Sequence, residues 1–362
     1  MMSTMSSTAQ GYVTGDEGED AVAEIMRRGG AELRERMAST EEHLERVAAE
    51  AGAPLAVHAT STVLAGGKRL RPLLVVLAAT AADRPGGGGP LETEQGAQSL
   101  VRAAVAVELV HSATLVHDDV IDGAQLRRGH PSVVAQAGRR MAVATGDLLF
   151  SRAFAELTLN AEVEQLSALS DASSALAAGE LLQREDAYAP KVAVERYLRR
   201  CELKTAALFE AACRLGALVA RAGGDRSPPV PASTLADALG AFARRIGLAF
   251  QLLDDVLDVS GPVERTGKTR GTDLLDGTVT LPLILARERD ERLAAVDLAS
   301  LTGPEQAGEL CDRIAATGAL QEARERALAL VAEAKAMLPE ILPNGRAVLL
   351  DLVADAVVER YC

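Results

Sequence analysis

Tryptophan is absent from this 362-residue chain, and four Tyr and five Phe leave it only 2% aromatic. No run alternates apolar and polar residues for long, which argues against a sheet fold. Cysteine is scarce. Cys201, Cys213, Cys311 and Cys362 form no C-x-x-C pair, which argues against structural zinc and suits a reducing cytoplasm. No apolar stretch reaches the ~18–20 uncharged residues that a membrane span needs. Residues 1–20, rich in Ser, Thr, Gly and acids, lack the basic and apolar pattern of a signal peptide and read as a disordered tail. Positive charge is in deficit as well. The formal net charge of −13 gives no reason to expect a nucleic-acid partner.

What the chain does have is Ala and Leu at helical spacing. Ala21–Ala51, Gln95–Asp122, Met141–Asn160, Val192–Ala222, Leu235–Ser260 and Pro304–Met337 all read as amphipathic or buried helices. Breaks fall at Gly86-Gly87-Gly88-Gly89-Pro90 and at Ser227-Pro228-Pro229-Val230-Pro231. Both read as loops between helices. The expected class is therefore all-α, with residues 21–362 forming one large helical bundle.

Two acidic clusters of one form stand out: Asp118-Asp119-Val120-Ile121-Asp122 and Asp254-Asp255-Val256-Leu257-Asp258. On a helix the first and last Asp of each are i and i+4 and share a face, where like charges repel. A single D-D-x-x-D would be read as a solvated face. Two copies flanked by Leu115-Val116-His117 and Phe250-Gln251-Leu252-Leu253 would be buried, so cations must offset them. Hard carboxylate oxygens in two facing clusters suit Mg2+, which takes a few carboxylates together with waters and phosphate oxygens.

Such a site should carry Lys and Arg for phosphate. Candidates are Gly66-Gly67-Lys68-Arg69-Leu70-Arg71-Pro72, Arg127-Arg128-Gly129, Lys204-Thr205, and Gly267-Lys268-Thr269-Arg270-Gly271-Thr272-Asp273. His111 lies seven residues before Asp118, two helical turns away on the same side. His117 has no assignment, and His43, His58 and His130 look incidental.

From about Leu64 to Pro282 the ordered motifs GGKRLRP, HSATLVHDDVID, RRG, GDLLFSRAF, KTAALF, FQLLDDVLD and GKTRGTDL are present. With them the chain resembles the trans-isoprenyl diphosphate synthases, the polyprenyl synthetase family. The resemblance implies condensation of isopentenyl diphosphate with an allylic diphosphate, release of pyrophosphate, and a bundle around an apolar cavity. It implies Mg2+, three ions per site, held by Asp118, Asp119 and Asp122 on one side and Asp254, Asp255 and Asp258 on the other. Arg127, Lys204, Thr205, Gln251 and Lys268 match positions for the allylic diphosphate. Lys68, Arg71, His111 and Arg128 match those for isopentenyl diphosphate. Thr205 and the carbonyl of Lys204 would stabilise positive charge near C1. A homodimer in the cytoplasm is implied, and long prenyl products would want a transient membrane contact.

The chain departs from many relatives at Gly277-Thr278-Val279-Thr280-Leu281-Pro282, where they carry Lys in place of Thr278, and its end, Val358-Glu359-Arg360-Tyr361-Cys362, has no basic tail. Ala113 and Thr114, one turn before Asp118, stand where short-chain members place an aromatic plug. Ala106, Leu109 and Val110 continue this wall, and Ala106 would lie roughly 18 Å below Asp118. Phe154, with Phe150 one turn before it, is the candidate floor on the neighbouring helix. This pattern points to all-trans products of about C30–C50, given that wall length. Geranylgeranyl diphosphate synthase is the near alternative. A class I terpene cyclase fits less well, because its second motif usually differs and it needs no isopentenyl site. A regulatory subunit of a heteromeric synthase would usually have lost its acidic motifs.

Overall fold

The structure is a computed structural model, and it describes residues 17–50, 52–83, 89–221, 232–261, 270–342 and 345–359. Lys268, most of the N-terminal tail, the Pro-rich break at 227–231 and the last three residues lie outside the described residues. The described part is almost wholly helical. In chain order the helices are α1 (Glu17–Arg28), α2 (Gly30–Ala49), α3 (Leu55–Leu64), α4 (Leu70–Ala82), α5 (Glu94–Asp122), α6 (Val133–Thr158), α7 (Val163–Asp186), α8 (Val194–Cys201), α9 (Ala207–Arg221) and α10 (Ala232–Ser260). They are followed by α11 (Thr272–Leu275), α12 (Leu281–Arg289), α13 (Glu291–Ala294), α14 (Pro304–Ala316), α15 (Ala319–Ile341) and α16 (Val348–Glu359).

Several expected helices are cut where glycine allows a left-handed backbone. Gly30 (φ 74°) separates α1 from α2, and Gly318 (φ 77°) separates α14 from α15. A two-stranded antiparallel hairpin, Leu126–Arg127 with His130–Pro131, follows α5. Its strands are too short to show alternation.

The bundle is built around α5, which packs on α6, α4, α9 and α2. The run Ala103–Val110 along it is fully buried. Helix α5 is long and apolar enough to cross a membrane by composition, but most of that apolar stretch is buried among its neighbours, as in a core helix. Its ends are set locally. Thr93 Oγ1 accepts from Gly96 N at 3.0 Å, and Gly123, at φ 64°, stops the helix immediately after Asp122. The second acidic cluster lies at the C-terminal end of α10, which packs on α9 and α15.

Helices α4 and α9 approach closely at Gly216, where an added Cβ would lie 2.2 Å from the Val75 carbonyl oxygen and 2.9 Å from Ala79 N. Backbone cannot yield cheaply there. Gly216→Ala is therefore expected to destabilise the fold by about 1–3 kcal/mol through overpacking, seen as a lower midpoint in thermal or urea unfolding. An unchanged midpoint would mean that α4 and α9 do not pack this tightly.

Candidate active site

The end of α5 divides the first acidic cluster between two directions. Asp118 and Asp122, one turn apart, line a cleft of about 580 Å³. Asp119 is buried and turned to the hairpin, where Arg127 Nε and Nη2 donate to its Oδ1 at 2.9 and 2.5 Å. This pair forms part of a smaller cleft of about 260 Å³, lined also by Leu64, Leu115, Arg128 and Val133. Asp122 is paired with Arg184 of α7. Burial is the main reason that Asp118 is pushed up to about 6, with Glu180 and Asp122 adding to it against the lowering influence of Lys204.

On α10 the residues that line the larger cleft are Gln251 and Asp255, again one turn apart. Asp255 is buried and accepts twice, from Tyr197 OH at 2.6 Å and from Gln251 Nε2 at 2.8 Å. Asp258 instead faces the α11 segment and accepts from the Asp273 backbone N–H at 3.3 Å. Asp254 sits within electrostatic reach of Arg71. Burial, followed by the charge of Asp273, pushes Asp255 up to about 7 and Asp258 up to about 8. Asp273 and Asp276 complete this acidic wall.

Among the described residues no three His, Cys, Asp or Glu side chains already converge as a metal cage. Mg2+ does not require one, since it binds through one or two carboxylates plus waters and substrate phosphates. Two acidic walls facing one cleft, with carboxylates held above their ordinary range by burial and crowding, fit that ion.

The raised acids also set a pH dependence. Burial, with the charge of Asp273 added, pushes Asp258 in the folded state well above its ordinary carboxylate value, up to about 8. The folded state therefore holds the proton more tightly, and the stability this confers is lost as pH rises from about 4 towards about 8. In metal-free protein, the Asp258→Asn variant should gain melting temperature relative to wild type as pH rises through that window. A constant difference from pH 4 to pH 8 would contradict the shift.

The cations come from four places. Arg127 and Arg128 sit on the hairpin, and Arg128 takes a left-handed backbone (φ 52°). Gly67 lies against the Arg128 guanidinium so closely that a Cβ would be 2.8 Å from Nη1, which brings the loop carrying Lys68 beside it. Lys204 and Thr205 lie in a π-helical turn, Glu202–Ala206, between α8 and α9. Such turns widen the helix locally and recur at functional sites. Gly179 of α7 makes room for this one, because a Cβ there would be 2.6 Å from Lys204 N. Lys204 Nζ bonds Glu180 Oε2 at 2.5 Å, and Thr205 Oγ1 donates to Gln251 Oε1 at 2.7 Å.

A second cationic group lies deeper. Arg71 stacks over the Phe209 ring at 4.9 Å, its Nε has no partner, and burial lowers it to about 10, so it stays charged at neutral pH. His111 is pushed well below its usual value, first by burial and then by Arg71 and Arg128, so it is neutral. Beneath them Glu108, 3% exposed, accepts from Arg69 Nη1 at 2.8 Å. Arg69 is further tied to Glu41 and to the Val63 carbonyl, so it is a structural member of the basic loop.

The structure therefore brings Asp118, Asp122, Arg127, Arg128, Lys204, Thr205, Gln251 and Asp255 to one cleft. It groups Arg71, His111 and Arg128 electrostatically beside it. Ala113, Thr114 and Phe154 line neither cleft. Ala113 is fully buried, and Thr114 and Phe154 are half-buried. Phe150 stacks with His117 at 5.8 Å, and His117 fits against Gly146, which makes it a packing residue. Sequence reasoning missed Glu108, Glu180, Arg184, Tyr197 and Asp276, and it quoted Asp273 only as part of a basic segment. Glu108 was within reach, three residues before His111 on the same helix.

An all-helical bundle with acidic walls and a ring of Lys and Arg around one cleft is the isoprenoid synthase architecture. The polyprenyl synthetase family model matches residues 54–314, and the chain belongs to that family. Heptaprenyl diphosphate synthase component 2 of Geobacillus stearothermophilus is 38% identical over 300 residues, covering 82% of this chain and 86% of the relative. The geranylgeranyl diphosphate synthase of Methanosarcina mazei is 35% identical over 302 residues, with 82% and 86% covered. A crystal structure of a polyprenyl synthase from Caulobacter crescentus CB15, complexed with calcium and isoprenyl diphosphate, gives a TM-score of 0.79 at 32% identity. It covers 94% of this chain and 98% of that one. The chain is a trans-prenyltransferase, an isoprenyl diphosphate synthase.

Proposed function

We propose that this enzyme uses Mg2+ to condense isopentenyl diphosphate head to tail with an allylic diphosphate, making all-trans products of about C30–C50, a length inferred from the extent of the small-residue wall on α5. The observation that carries the reading is the pairing of two acidic walls across one cleft with a second basic group reaching back from it, Arg128 at the cleft and Arg71 beside neutral His111. A cyclase needs only the first of these. The calcium and isoprenyl diphosphate named with the Caulobacter crescentus structure support a divalent-cation site of this kind.

In this reading Asp118, Asp122 and Asp255 hold the ions, with Asp119, Asp254 and Asp258 in support. When bound, Mg2+ neutralises the charge that builds on the leaving diphosphate. Arg127 and Lys204 hold the allylic diphosphate, with Gln251 orienting it and Lys268 completing the set. Thr205 Oγ1 and the Lys204 carbonyl aim dipoles at the allylic C1, where positive charge develops. Lys68, Arg71, His111 and Arg128 hold isopentenyl diphosphate. Neutral His111 donates one hydrogen bond without adding a charge to the three cations. The isopentenyl double bond attacks C1, and the released pyrophosphate takes the proton. No side chain in the cleft is needed as a base.

The division of the diphosphate sites has a kinetic signature. His111→Ala and Arg128→Ala should raise KM for isopentenyl diphosphate more than KM for the allylic primer, by about tenfold for a lost charged hydrogen bond. Arg127→Ala should do the reverse. Equal effects on both substrates in all three variants would show the sites to be divided wrongly.

The reading makes the protein a homodimer in the cytoplasm; the buried free thiols of Cys201, Cys213 and Cys311 suit a reducing compartment and carry no information on the dimer. Release of long prenyl products would involve transient membrane contact. A second reading, a component that needs a partner chain, follows from the name of the Geobacillus stearothermophilus relative. The test is to give the purified protein Mg2+, isopentenyl diphosphate and each allylic primer in turn and to weigh the products. Products of about C30–C50 from this chain alone are expected from the wall length. A sharp stop at the geranylgeranyl length would assign the shorter product, and turnover only with an added partner would assign a component.

A further inference from the structure

Arg200 of α8 is only 3% exposed. Its Nη2 donates to the Val279 carbonyl at 2.7 Å. Its Nη1 has no hydrogen-bond partner, and Asp186 Oδ2 stands 3.7 Å away. Asp186 binds Arg196 through Oδ1, at 2.5 Å, and its Oδ2 is left as a long ion-pair partner for Arg200, without a hydrogen bond. The guanidinium lies 5.2 Å from the centre of the Tyr197 ring, and the Tyr197 hydroxyl donates to Asp255. A buried cation with an unused donor is costly unless its charge has a task or a partner.

The position of Arg200 suggests the task. It lines the larger cleft together with Asp255, Asp273, Asp276, Thr278 and Thr280. Among the described lining residues the other cations are Arg127, Arg128, Arg184 and Lys204. They stand on the hairpin, on α7 and on the π turn. Three of them are already engaged, Arg127 with Asp119, Arg184 with Asp122 and Lys204 with Glu180. Among the described residues, the wall formed by α11 and the 278–280 segment thus carries carboxylates and hydroxyls, with Arg200 behind it as a cation.

We propose that Arg200 is the positioning residue for diphosphate on the second acidic wall: it fixes the 278–280 backbone through Val279 and supplies the positive charge that residue 278, a threonine, does not. This rests on the diphosphate reading of the cleft given above. The guanidinium acts through the backbone and by its field, with no bond made or broken.

The test is calorimetric binding of inorganic pyrophosphate with Mg2+ to the full chain, alongside steady-state kinetics. Wild type must bind; failure there would overturn the diphosphate reading itself. Arg200→Met should weaken pyrophosphate binding about tenfold and raise the allylic KM similarly, with the isopentenyl KM within about twofold, as expected for the loss of one nearby charge. Thr278→Lys placed in the Arg200→Met background should recover most of the loss, while Thr278→Lys in wild type should gain much less, because the two sites serve one purpose and couple. Arg200→Lys keeps the charge and a donor for the Val279 carbonyl and should stay within about threefold of wild type. This arm also serves if Arg200→Met does not fold. Wild-type pyrophosphate affinity in folded Arg200→Met would overturn the proposal. So would an equal gain from Thr278→Lys in both backgrounds, or a tenfold loss in folded Arg200→Lys.

Discussion

Asp118→Ala is expected to lower kcat by at least about 10²–10³-fold, the cost of removing one preorganised electrostatic group from a charge-developing transition state. Asp254→Ala and Asp255→Ala on the opposite wall should have effects of the same order. The reason is shared. The C–O bond of an allylic diphosphate breaks only if the charge left on the diphosphate is met as it forms, and each variant removes part of the acidic wall that would hold the neutralising ions. Asp118 is half-buried and faces the cleft directly, beside Lys204 and Asp122. Asp255 has a further role, because it orders Tyr197 and Gln251. Asp255→Ala should therefore lose some thermal stability as well, whereas Asp118→Ala should not. Steady-state turnover at saturating Mg2+ decides the matter. Near wild-type kcat in Asp118→Ala would remove this wall from the mechanism.

Ala113→Phe should shorten the product by several isoprene units, and Thr114→Phe should act in the same direction. Both residues lie within the turn of α5 that precedes Asp118, and the fully buried Ala106, Leu109 and Val110 extend the same helix away from the cleft. The long-product reading has the growing tail run along this helix, with Phe154 on α6 as its candidate floor. A phenyl ring at position 113 takes the space the tail would cross. The same overpacking should cost about 1–3 kcal/mol of stability. Phe154→Ala should have the opposite effect on length if the tail ends there. Product masses from folded, active variants decide this. Unchanged chain length in both Phe variants would mean that the tail runs elsewhere, and the long-product reading would lose its main support.

The acidic clusters were legible because two carboxylates at i and i+4 in apolar flanks make little sense without a cation. Their division between walls was not. Which of Asp118 and Asp119 faces the cleft depends on where Arg127 sits, and Arg127 is carried by a hairpin whose strands are two residues each. No periodicity announces such a strand. Helix α7 was missed for a different reason. Its sequence, VEQLSALSDASSALAAGELLQRED, spreads small and polar residues around the helix without a clear apolar stripe. Glu180 and Arg184, which hold Lys204 and Asp122, went unseen with it. The π turn at Lys204 is likewise a tertiary choice, because the wider turn depends on Gly179 of another helix. The all-helical class was open to sequence reasoning because composition and spacing agreed along most of the chain. The breaks at Gly30 and Gly318 show where one periodic run folds as two helices.

The most direct measurement is pyrophosphate release from an allylic diphosphate, followed with and without isopentenyl diphosphate at fixed Mg2+ and after chelation of the metal. Release that requires both isopentenyl diphosphate and Mg2+, with one pyrophosphate formed for each isopentenyl unit incorporated, is the predicted result. Rapid release from the allylic substrate alone, giving a hydrocarbon or alcohol and no longer diphosphate, would contradict it.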